Sequence, residues 1–142
     1  MELIGNAINM KIKTDNLEGI QLDWVVAHLN KETIQIGNIT SCNKIVGKCL
    51  AWVNHKDDFG TITYEPSIEW SQGGPIIEEK YIELHPESSI KGDRFWTACP
   101  QNRYSCKKQR STGITPLIAA MRYYVKSCLG NEVEIPDELI KK

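Results

Sequence analysis

The stretch Thr115-Pro116-Leu117 through Leu129-Gly130 constrains the fold more than any other part of this chain. Thr115 is a good N-cap, because a hydroxyl can accept from an otherwise orphaned amide of the first turn. Pro116 follows at the first helical position, where its missing N–H costs nothing. Leu117, Ile118, Met121, Val125, Cys128 and Leu129 recur at helical spacing as one apolar stripe. Gly130 then stands where helices end. This spacing predicts a capped amphipathic helix whose stripe must be buried against something. Arg122, Tyr123 and Lys126 are expected on the opposite side.

The remaining elements supply that cover. Residues 8–13 alternate apolar and polar and predict a short strand. Thr14, Asp15 and Asn16 are turn and capping groups ahead of a second helix, from about Glu18 to Leu29, anchored by Trp24. Ile34-Gln35-Ile36 and Thr61–Tyr64 are β-prone. Residues 38–61 carry Asn38, Asn43, Gly47, Asn54, Asp57, Asp58 and Gly60, and are expected to be mostly loop. Lys80–Leu84 and Arg94–Ala98 are strand candidates joined by a turn through Pro86, Ser88, Ser89 and Gly92. Two helices beside several antiparallel strands predict one α+β domain, an antiparallel sheet with flanking helices, sandwich-like in its layers.

Length and composition fit that picture. A chain of 142 residues buries enough surface for a single core. With 41% apolar and 25% charged residues it is an ordinary globular composition. A formal charge of −1 gives no overall attraction to nucleic acid or anionic lipid. No apolar run approaches a membrane span, and no export signal is evident, so the cytoplasm is the expected location. Five scattered cysteines without such a signal are expected to be reduced thiols. Cys42 and Cys49, like Cys99 and Cys106, are separated by six residues, wider than the knuckles of structural zinc sites. No metal or cofactor is therefore expected.

Two segments are candidates for binding. In Trp70-Ser71-Gln72-Gly73-Gly74-Pro75, paired glycines and a proline predict a tight turn. Positive φ at Gly73 and Gly74 would turn amides toward an anionic or planar ligand, with Trp70 as a stacking wall. The alternative is a plain turn with Trp70 plugged into the core. Gly-x-Gly-x-x-Gly and Gly-x-x-x-x-Gly-Lys patterns are absent here. Ser67, Gln72, Thr115 and Arg122 complete the candidate ligand site, the last as a counter-charge. The second segment holds Arg103, Lys107, Lys108 and Arg110 without an acid, and can follow a phosphate backbone; the balanced net charge favours a solvated loop. Glu78, Glu79 and Glu83 have no partnering base, and no Cys–His signature appears, so an enzyme is not expected.

Taken in order, several blocks resemble a phage family. They are Lys11-Ile12-Lys13, Leu22-Asp23-Trp24, Tyr64-Glu65-Pro66-Ser67, Gln72-Gly73-Gly74-Pro75-Ile76-Ile77-Glu78, Trp96-x-Ala98 and Thr115–Arg122. The resemblance is to the NinX-like proteins of tailed bacteriophages and prophages, closing with Gly130–Pro136. It implies a small phage-encoded accessory protein related to α-β-α sandwich domains, and it brings no catalytic residue. It also implies a start near Met10, with Met1–Asn9 an upstream extension; the domain is then expected over residues 10–136, and the charged stretch after Pro136 predicts a flexible tail over 137–142. The expected partner is a small molecule, nucleotide-type host defence signals included, or a host protein. Self-association is open, and nucleic acid is the alternative.

Overall fold

A computed structural model describes residues 9–57, 60–101 and 109–140. The capped helix, α3 (Pro116–Leu129), is its hub. The Thr115 hydroxyl accepts from the Ile118 amide at 3.1 Å, as its sequence position predicts. The buried arc is wider than the predicted stripe. Ala119, Ala120, Tyr123 and Tyr124 are buried with Leu117, Met121 and Val125, whereas Cys128 is exposed. Neighbours on several sides cause this, and Tyr123 accordingly faces the interior rather than solvent.

One neighbour is α1 (Gly19–Leu29), with Leu22, Trp24, Val25, Val26 and Ala27 buried. A second is the sheet of β5 (Glu83–Ser88), β6 (Arg94–Cys99) and β7 (Ser111–Gly113). Gly113 lets β7 approach the helix, because an added Cβ would sit 2.6 Å from the Ala119 nitrogen. A third contact is the pair β1 (Asn9–Lys13) and β8 (Glu132–Pro136), antiparallel from Asn9 opposite Pro136 to Lys13 opposite Glu132. Strand β1 thus begins at Asn9, within the expected extension. After β8, Leu139 enters the core and Lys48 Nζ donates to the Glu138 carbonyl, so residues 137–140 are packed rather than loose.

The architecture is α+β, with the strands of the described residues divided among three small antiparallel sheets. The largest departure from the sequence reading is the segment expected to be loop. Residues 38–57 instead form the second half of β2 (Ile34–Ser41) and all of β3 (Lys44–Asp57), while the starts expected at Ile34–Ile36 and Thr61 fall in β2 and in β4 (Gly60–Thr63). Cys42 and Asn43, both at positive φ (52° and 63°), make the two-residue turn between β2 and β3. Left-handed geometry at both turn residues matches strand twist, and asparagine tolerates it well.

The cysteines also differ from expectation. Cys42, Cys49 and Cys128 are free thiols, but Cys99 is disulfide-bonded. Spacing alone did not show it, because disulfide formation depends on how the fold brings sulfurs together.

Candidate functional site

The glycine segment is not a turn. Residues Trp70–Glu79 form α2, with Gly73 and Gly74 in helical conformation and Pro75 inside the helix. The Gly73 amide already donates to the Glu69 carbonyl at 2.9 Å. Its role is close packing: a Cβ on Gly73 would lie 2.3 Å from the Pro66 carbonyl oxygen and 2.7 Å from Leu117 Cδ2. The segment does meet the start of α3, as its sequence partnership suggests, but the meeting is sealed. Tertiary packing overrides the turn preference of Gly-Gly-Pro.

Gln72 fixes the same helix to the preceding strand. Its Oε1 accepts from the Glu65 amide, and its Nε2 donates to the Thr63 carbonyl at 2.9 Å. Beneath this corner lies Asp23, 3% exposed. Its Oδ1 accepts from the Ser67 amide at 2.9 Å. The Ser67 hydroxyl is buried beside the same carboxylate without a hydrogen bond of standard geometry. Burial pushes the Asp23 carboxyl up from 3.8 to about 7; the Ser67 groups pull it down and Glu65 adds a little upward.

An open groove also runs along α2. It has a volume of about 680 Å³ and lies between the end of α1, β3, α2 and α3. Its floor is aromatic: Tyr64 and Tyr124 are nearly buried, and the half-buried Trp52 meets Tyr64 edge-on at 5.3 Å between ring centroids. A polar chain fixes these rings. The Tyr124 hydroxyl donates to Asn30 Oδ1 at 2.7 Å, Asn30 Nδ2 reaches the Tyr64 hydroxyl at 3.5 Å, and Trp52 Nε1 donates to Glu32 Oε2 at 2.7 Å. Lys80 Nζ stands 5.8 Å above the Tyr124 ring, within cation–π range. Lys31, with φ at 56°, is at the edge. Two lysines and two glutamates (Glu32, Glu79) line the groove, so its formal charges balance. Burial and the neighbouring Glu32 and Asp23 charges push the Tyr64 phenol up to about 12, so it stays a neutral donor and acceptor.

A model of the family described as Bacteriophage P22, NinX matches residues 13–127. The chain belongs to the phage P22 NinX family. No curated protein matches its sequence. The matched span carries the groove, α2 and nearly all of α3, and ends before Gly130–Pro136.

In this NinX-family chain the residues expected to form one ligand site fall in separate places. Gln72 lines the groove, whereas Trp70, 54% exposed, stands outside its lining. Ser67 and Gly73 are buried, and Gly74 is half-buried within α2. Thr115 is occupied as the N-cap of α3. Arg122 is a clamp: Nε donates to the Leu17 carbonyl at 2.8 Å and Nη1 to the Thr112 carbonyl at 2.9 Å. Burial lowers its pKa, against the opposing pull of Glu18 and Asp15. Among the basic candidates, Arg103, Lys107 and Lys108 lie outside the described residues. Arg110 is exposed, and its carbonyl accepts from Lys126 Nζ at 3.0 Å. Sequence reasoning missed the groove residues Asn30, Trp52, Tyr64 and Tyr124. They come from four separate stretches of the chain, and no local spacing unites them. Among the described residues, no helix is long and apolar enough to cross a membrane.

Proposed function

We propose that this phage protein is a non-enzymatic accessory factor that holds a small planar polar molecule of nucleobase type in the groove over Tyr64 and Tyr124. One observation carries the reading: an aromatic floor is fixed by its own hydrogen bonds, with an ammonium and an amide at its rim. Few, positioned polar groups around an aromatic surface are what small-molecule sites use for orientation. Trp52 offers ring area, Asn30 offers hydrogen bonding, and Lys80 offers a charge for an attached phosphate. The balanced charge of the lining favours a ligand recognised chiefly by its ring rather than by bulk negative charge.

Membership of a phage family supports the biological form of the proposal, sequestration of a nucleotide-type host signal. Isothermal titration calorimetry against a panel of nucleobases, nucleosides and nucleotides tests it. One-site heat with some member of the panel, weakened at least tenfold by Trp52→Ala, is the expected result. Absence of heat with the whole panel, or equal binding by Trp52→Ala, removes the proposal.

A further inference from the structure

On the sheet of β5, β6 and β7, Glu83 and His85 are two residues apart on β5 and therefore leave the same face of the strand. Glu83 is the direct cross-strand partner of Cys99 on β6. Directly paired residues place their side chains together on one face. This register gathers a carboxylate, an imidazole and a sulfur whose candidate ligand atoms all lie within 4.8 Å of one another. His85 Nε2 is 3.2 Å from Glu83 Oε2.

We propose that Glu83, His85 and Cys99 form a redox-gated site for a zinc-type divalent cation. Mixed sulfur, nitrogen and oxygen donors suit a borderline ion such as Zn2+. With bonds of roughly 2.0–2.3 Å to such an ion, the three donors must draw slightly closer, a movement that side-chain rotation supplies. Water completes the coordination. Burial is graded across the cluster, with Cys99 fully buried, Glu83 half-buried and His85 exposed. An ion therefore enters from the His85 side.

The gate is the disulfide of Cys99. A disulfide sulfur carries no thiolate charge, and the thiolate is the species that binds metal. Reduction by a dithiol gives the two sulfurs two electrons and two protons and leaves the dithiol as its own disulfide. Zn2+ then displaces the proton from the Cys99 thiol as the metal–sulfur bond forms. The oxidised chain is closed to metal, and the reduced chain is open.

The test measures Zn2+ bound per full-length chain, with untreated protein compared against protein reduced by dithiothreitol and desalted. Co2+ serves as a spectroscopic probe of the same site. The proposal predicts one ion per reduced chain and none per oxidised chain, with a thiolate-to-cobalt charge-transfer band. His85→Ala, at an exposed position, should fold normally and lose the ion. Glu83→Gln should weaken binding. Cys99→Ser should abolish the charge-transfer band if it folds, and His85→Ala decides the matter if it does not. No metal on the reduced chain, metal on the oxidised chain, or full binding by His85→Ala would each overturn the proposal.

Discussion

Replacing Asp23 with asparagine should stabilise the protein most at alkaline pH, with the gain shrinking as pH falls and vanishing only below the range of a free carboxyl. The carboxyl is displaced from 3.8 to about 7, chiefly by burial. The folded state therefore holds a proton that the unfolded chain releases between about pH 4 and pH 7. The stability tied to that proton is complete below the unfolded value and is lost as pH rises through the folded one. Each unit of displacement corresponds to about 1.4 kcal/mol, so roughly three units set a ceiling of about 4 kcal/mol. Solvent relaxation around the carboxylate reduces this, and about 2–4 kcal/mol is the expected gain of Asp23→Asn at pH 8. The asparagine carbonyl can still accept from the Ser67 amide, and its amino group can meet the Ser67 hydroxyl beside it. Urea unfolding of both proteins at pH 5 and pH 8 measures the cycle. Equal stabilities at pH 8, or a less stable variant there, would refute the reasoning.

The adjacent glycines of α2 should respond with opposite signs in thermal unfolding. Gly73→Ala collides with the Pro66 carbonyl and Leu117 and should cost about 1–3 kcal/mol, whereas Gly74→Ala, 4.0 Å from its nearest neighbour, should gain about 0.5–1 kcal/mol of helix propensity. Arg122→Met keeps much of the stem volume but strips the Leu17 and Thr112 carbonyls of their donors. A loss of about 1–2 kcal/mol in chemical denaturation is expected, softened by water at the partly exposed end. Thr115→Ala removes the acceptor for the Ile118 amide and should cost about 1 kcal/mol by the same assay.

Where local chemistry decides structure, the sequence was readable. Thr115, Pro116 and Gly130 mark α3 correctly because caps act within one turn of the backbone. The alternation in residues 9–13 and the pattern of α1 are equally local. Long-range packing decided the rest. Gly73 serves close packing rather than a turn, because Pro66 and Leu117 crowd the place where a side chain would stand and both lie outside the Gly-Gly-Pro context. The β2–β3 hairpin turns at Cys42-Asn43, where no glycine advertises left-handed geometry, and its turn-rich strands read as loop. Of the residues expected to bind a ligand, Gln72 lines the groove. Asn30, Trp52, Tyr64 and Tyr124 had no sequence signal, since only the packing of α1, β3 and α3 brings them together.

Native mass spectrometry of the chain recovered from host cells tests the groove most directly. The account predicts the polypeptide mass plus one small molecule, an adduct kept by Trp70→Ala and lost from Trp52→Ala. Bare polypeptide in the wild type, or an adduct that survives Trp52→Ala undiminished, would contradict it.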